Sequence, residues 1–136
     1  MNSVIIFLPR AVTIEDVARE LAAVGKVSRP APGAVAVEAG HDRVRLDQAD
    51  DIARYYDGSE LGVVTQVLGE YTAFTAEYLD IGLVKQVIQV AANRWPSVID
   101  DDHGTMLPGG QFLELLASRP DWDWRTGSPG TGPTGG

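Results

Sequence analysis

Tyr71-Thr72-Ala73-Phe74-Thr75-Ala76-Glu77-Tyr78-Leu79 places its large apolar residues at every second position, and at Asp80 the period changes. From there Ile81, Val84, Val87, Ile88, Ala91, Ala92 and Trp95 recur at helical spacing until Pro96, after which Val98-Ile99 is apolar and β-branched. A period of two puts Phe74, Ala76 and Tyr78 on one face of a strand, and a period near 3.6 puts the second set on one stripe of a helix. Asp80 stands at the N-cap, where a short side-chain oxygen accepts from the first free backbone N–H groups. Pro96 restricts the residue before it to extended backbone and so closes the helix. Strand, helix and strand in direct succession predict a layered domain with a helix laid on a sheet.

The flanking sequence extends this pattern in both directions. Ser3 to Leu8 is a continuous apolar run ended by Pro9, the signature of a central strand buried on both faces. Thr13, with Glu15 and Asp16 behind it, caps a helix in which Ile14, Val17, Ala18, Leu21 and Val24 repeat until Gly25. After Pro30-Ala31-Pro32-Gly33, the pairs Val35/Val37 and Val44/Leu46 flank Gly40-His41-Asp42 and predict a hairpin. Residues 48–58 read as one or two loose helical turns, and Ser59 as the cap of a helix carrying Leu61, Val64, Val67 and Leu68 up to Gly69. Downstream, Val98-Ile99 and Thr105-Met106-Leu107 form a second hairpin through Asp101-Asp102-His103-Gly104, and Phe112, Leu113, Leu115 and Leu116 a last short helix. Trp122 and Trp124, at i and i+2, face one side of an extended segment and clasp the domain as a strap. The expected fold is α+β, a mixed five- or six-stranded sheet with helices mainly on one face, in one domain over residues 1–125. From Thr126 to Gly136 there is no apolar side chain to offset the entropy of ordering, and a disordered tail is expected.

Charge narrows the function. The chain of 136 residues carries nineteen acidic and eleven basic side chains, a net charge of −8, and between Glu38 and Asp102 thirteen acids stand against five bases. Such a field repels nucleic acid and anionic membranes and attracts a basic protein. The absence of cysteine removes disulfides, thiolate metal sites and a cysteine nucleophile. The apolar run at Val4–Leu8 is too short for a signal peptide and no stretch reaches the ~18 apolar residues of a membrane span, so a cytoplasmic protein is expected.

Few residues speak for catalysis. No serine stands in a Gly-x-Ser-x-Gly elbow, Leu107-Pro108-Gly109-Gly110 lacks the lysine and hydroxyl of a phosphate loop, and His41 sits in a turn beside Asp42. Asp100-Asp101-Asp102-His103 offers oxygen and nitrogen donors for a divalent metal, yet an Asp-rich segment ending in glycine is also what a tight turn demands. The turn is the reading adopted; no metal and no cofactor are expected, and no enzyme. As a docking face, Asp50, Asp51, Asp57 and Glu60 gather around Tyr55 and Tyr56, aromatic residues of the kind that anchor interfaces. Asp101, Asp102 and His103 form a second candidate patch.

The segment Trp95-Pro96-Ser97-Val98-Ile99-Asp100-Asp101-Asp102-His103-Gly104-Thr105, followed by Leu107-Pro108-Gly109 and Pro120-Asp121-Trp122-Asp123-Trp124, resembles the C-terminal part of small acidic bacterial proteins of the immunity type. Proteins of that kind pair with polymorphic toxins and neutralise them. The resemblance covers the C-terminal third of the chain and implies a non-enzymatic module whose partner is a basic protein, a toxin; it assigns no binding residue. The competing expectations are a metal-dependent enzyme or small-ligand-binding protein using the Asp100–His103 turn, and a homodimer formed through the helix from Ile81 to Trp95.

Overall fold

Val4, Ile5, Ile6, Phe7 and Leu8 are all buried, because the strand they form lies inside a sheet with helical cover on both faces. The computed structural model describes residues 2–126. In chain order these form β1 (Asn2–Pro9), α1 (Ile14–Leu21), β2 (Lys26–Ser28), β3 (Ala34–Ala39), β4 (Asp42–Gln48), a single 3-10 turn (Ile52–Tyr55), α2 (Gly58–Leu68), β5 (Tyr71–Tyr78), α3 (Ile81–Arg94), β6 (Val98–Asp100), β7 (Met106–Pro108) and α4 (Gly109–Ser118).

The fold is α+β, with one sheet ordered β2-β3-β4-β5-β1-β6-β7 and every neighbouring pair antiparallel. Two expectations are corrected here: the sheet has seven strands, not five or six, and it is antiparallel, not mixed. The additional strand is β2, whose Lys26-Val27-Ser28 carries one apolar residue and is a strand only because it pairs with Ala36–Glu38. The direction differs for a topological reason. A helical crossover such as β5-α3-β6 returns the chain in the same direction, which alone would give a parallel pair. Instead β1 lies between β5 and β6 and opposes both.

Side-chain alternation along β1 divides the core. Val4, Ile6 and Leu8 join Val35, Val37, Val44, Leu46, Phe74, Ala76, Tyr78 and Ile99 under α1, α3 and α4. Ile5 and Phe7 face the other way and meet Ala73, Val98 and Val64 of α2. The helices thus lie mainly on one face, with α2 and the 3-10 turn alone on the other. Each long element starts as its sequence dictates: Thr13 and Asp16 close a capping box on α1, and the Asp80 side chain accepts from Gly82 N–H at the head of α3. Leu83, Val84, Val87, Ile88 and Ala91 are all buried, so most of the apolar stripe of α3 packs against the domain's own core.

Trp122 and Trp124 are buried and edge-on to each other; Trp124 is also edge-on to Phe112, and Trp122 lies tilted against it. Trp124 Nε1–H donates to the Tyr78 hydroxyl at 2.7 Å, and Arg125 Nη1 donates to Leu79 O at 2.9 Å. The strap therefore holds the end of β5. Thr126 donates to Asp123 O at 3.0 Å and belongs to this turn, which moves the start of the expected tail past it; residues 127–136 lie outside the described range. Among the described residues no helix is long and apolar enough to cross a membrane.

Candidate functional site

Beyond β4 the chain stays pinned to the sheet by Ala49 N–H donating to Ala73 O at 2.8 Å, then coils through the 3-10 turn. Tyr56 ends that turn in extended backbone, and α2 begins two residues later. The N-cap of α2 is Asp57, not Ser59 as expected. The Asp57 carboxylate accepts from Glu60 N–H at 2.8 Å, Glu60 accepts in return from Asp57 N–H at 3.0 Å, and the Ser59 hydroxyl donates to the same Asp57 carboxylate. Asp outcompetes Ser because a carboxylate accepts several donors at once and its charge faces the positive end of the helix dipole. These bonds hold the Asp57 carboxyl below its ordinary range.

The residue pair between the two helical pieces divides its labour. Tyr56 turns inward, its ring edge-on to Phe7 at 5.5 Å, and its hydroxyl donates to Asp100 Oδ2 at 2.5 Å. Tyr55 stays outside, 73% exposed.

Asp100 reaches Tyr56 because β6 alternates: Val98 packs on the α2 face, Ile99 on the opposite face, and Asp100 points back toward α2. Its second oxygen accepts from Asp102 N–H at 2.8 Å. Asp102 has φ 61°, a left-handed conformation that Asp tolerates better than most side chains and that swings the chain toward Gly104 at φ 101°.

Asp101 is built differently. Fully buried, it accepts from His103 N–H at 2.8 Å and Thr105 N–H at 3.0 Å through Oδ1, while Oδ2 has no hydrogen-bond partner among the described residues. Burial pushes its carboxyl above the usual range, against the pull of those two N–H donors. His103 Nδ1 lies 3.0 Å from Asp101 O. Both side chains are thus engaged by the turn itself. A metal site at Asp100–His103 would need these donors to converge, and they do not: among the described residues no group of three or more His, Asp or Glu side chains is placed to hold a metal ion.

What does converge is the tyrosine segment and the hairpin. Together they enclose a hollow of about 450 Å³, floored by Ile5, Ile52 and Met106, walled by Tyr55 and Tyr56, and rimmed by Glu60, Asp100, Asp102 and Gly104. No Lys or Arg is among the described residues that line it. Burial raises the Tyr56 hydroxyl well above an ordinary phenol; its bond to Asp100 and the charges of Asp100, Asp102 and Glu60 raise it further, so it stays protonated and keeps donating. Asp102, although exposed at the rim, is shifted upward by partial desolvation and by the neighbouring Asp100 charge.

Of the residues singled out from the sequence, Tyr55, Tyr56, Glu60 and Asp102 meet in this hollow, with Asp100. Asp57 serves α2, while Asp101 and His103 serve the turn. Asp51 pairs with Arg54 at 3.3 Å on the surface. Asp50 lines a separate hollow of about 420 Å³ on the far side of Ile52, with Arg10, Gln48, Tyr71 and Thr72. The floor residues Ile5 and Met106 escaped sequence reasoning, since an apolar residue in a strand carries no mark of which cavity it will face. Comparison with protein-family models, with curated proteins and with solved structures gave no match.

Proposed function

We propose that this chain is a non-enzymatic, acidic protein-binding module of the cytoplasm that covers a basic surface of its partner, acting as an immunity protein that neutralises a toxin. The observation that carries this reading is the hollow in which Tyr55, Tyr56, Glu60, Asp100 and Asp102 meet without a neutralising cation. Aromatic side chains at an otherwise acidic rim combine the two properties a partner-binding patch needs: an anchor that excludes water and a field that guides approach. The net charge of −8 acts in the same direction at longer range and opposes nucleic acid or an anionic bilayer as the target. Neither a cofactor nor a metal enters this reading.

The test is association with basic proteins encoded in the neighbouring genes, followed at two ionic strengths. The association rate is expected to fall as the screening length shortens from ~30 Å at 0.01 M to ~8 Å at 0.15 M salt, with a smaller change in dissociation. Asp102→Asn is expected to slow association and Tyr55→Ala to speed dissociation. If none of these proteins binds, or if binding is indifferent to salt and to both substitutions, the proposal is wrong.

A further inference from the structure

We infer that the hollow between the 3-10 turn and the β6–β7 hairpin is a seat for one arginine side chain of the partner, a deepening that rests on the protein-binding reading above. Three features of the cavity select this occupant. Its rim holds the carboxylates of Glu60, Asp100 and Asp102, and the described lining contains no cation, so charge complementarity calls for a positive group. Its walls are the rings of Tyr55 and Tyr56; Tyr55 is 73% exposed and has no aromatic neighbour among the described residues, whereas Tyr56 meets Phe7. Its floor is Ile5, Ile52 and Met106, an apolar bed that suits the methylene stem of a long side chain.

The choice between the two cationic side chains follows from shape and hydration. An ammonium is a compact, strongly hydrated charge and would keep its water at a rim of this kind. A guanidinium is planar, stacks on a ring face, is more weakly hydrated and presents five N–H donors in a fixed fork. The rim carboxylates supply acceptors for such donors. Asp100 uses one position on each oxygen for Tyr56 and for Asp102 N–H, and a carboxylate oxygen has a second lone pair. Tyr56 in turn fixes the Asp100 carboxylate, so its orientation is set before a ligand arrives. Asp102 and Glu60 complete the rim from the hairpin and from the first turn of α2.

The probe is Nα-acetyl-arginine amide, titrated into the isotopically labelled full chain while amide chemical shifts are followed. The citrulline and lysine analogues serve as controls, the first removing the charge while keeping the shape and the second keeping the charge without the fork. Saturable shifts are expected at Tyr55, Tyr56, Asp102 and Gly104, with citrulline weaker by roughly tenfold and lysine by a few-fold. Tyr55→Ala and Asp102→Asn should each weaken the arginine response by roughly two- to tenfold. Neither variant endangers the fold, because Tyr55 is exposed and Asn tolerates the left-handed backbone at position 102. Arginine that leaves these amides unmoved, or citrulline or lysine that binds as well as arginine, overturns the assignment. A basic partner that binds with the expected salt dependence while the arginine probe fails overturns the arginine seat alone. Arginine held in the hollow with no basic protein partner overturns the protein-binding reading and leaves the seat standing.

Discussion

Tyr56 and Asp100 stand 44 residues apart in the chain and are joined by a hydrogen bond of 2.5 Å, the phenol donating to the carboxylate. This contact ties the entry to α2 to the end of β6 and gives the acidic hollow its fixed wall.

Tyr56→Phe keeps the ring against Phe7 and deletes the donor. Hydrogen bonds to a charged acceptor contribute about 1.5–3 kcal/mol, and water entering the open hollow should bring the cost to the lower end. The raised Tyr56 value adds a pH signature. The contribution is complete below the ordinary phenol value of 10.0 and declines above it, because the unfolded chain releases its proton there and the native chain does not. Urea denaturation should therefore show a gap between wild type and variant that narrows at alkaline pH. A gap that widens would mean the phenol ionises in the native protein.

Asp101 follows the same rule in the carboxylate range. Its native value is raised by burial, so its contribution to stability is fullest below the ordinary value of 3.8 and falls as pH climbs through the raised one. Asp57 and Asp123, both lowered, contribute above that range and lose their effect on acidification. Asp101→Asn retains an oxygen for His103 N–H and Thr105 N–H and removes the buried charge. It should be near neutral or stabilising at pH 7 and lose that advantage in acid, whereas Asp101→Ala should cost about 1–3 kcal/mol at either pH. An Asn variant as damaged as the Ala variant at pH 7 would contradict this assignment.

A Cβ at Gly109 would stand 2.0 Å from Ser97 Oγ and 3.1 Å from Ala92 Cβ. Gly109→Ala should therefore cost about 1–3 kcal/mol through overpacking. Ser97 Oγ is buried without a partner among the described residues, so Ser97→Ala should be close to neutral and should rescue part of the Gly109→Ala loss. Strict additivity in thermal melts would show that the two do not compete for this space.

Trp124→Ala should cost about 3–5 kcal/mol, the range for emptying a buried aromatic site. Trp124→Phe should cost less, since the ring contacts to Tyr78, Trp122 and Phe112 largely survive and only the bond to the Tyr78 hydroxyl is lost. Equal losses would place the stability of the strap in that one hydrogen bond.

The elements with a clean period were legible in the sequence: the stripe of α3, the alternation of β5, the two hairpins, and Trp122 and Trp124 as a strap. What escaped depended on partners distant in the chain. Lys26-Val27-Ser28 has no strand signal of its own and is recruited by β3. The antiparallel sense arises because β1 occupies the slot between β5 and β6, a choice that local periodicity does not encode. At the site, the residue types were visible and their grouping was not. Asp100, Asp101 and Asp102 are adjacent in sequence, yet the turn after β6 buries Asp101 and leaves Asp100 and Asp102 on the lining of the hollow with Tyr56. Tyr55, Tyr56 and Glu60 of one sequence patch and Asp102 of the other line one hollow, while the remaining members of both patches serve elsewhere.

Amide hydrogen exchange of the full chain, free and in complex with the basic partner proposed above, tests the central claim most directly. The account predicts that Tyr55–Glu60 and Asp102–Met106 gain protection together in the complex, because the two segments line one hollow. Protection confined to one of these segments, or appearing on the face covered by α1, α3 and α4, would contradict it.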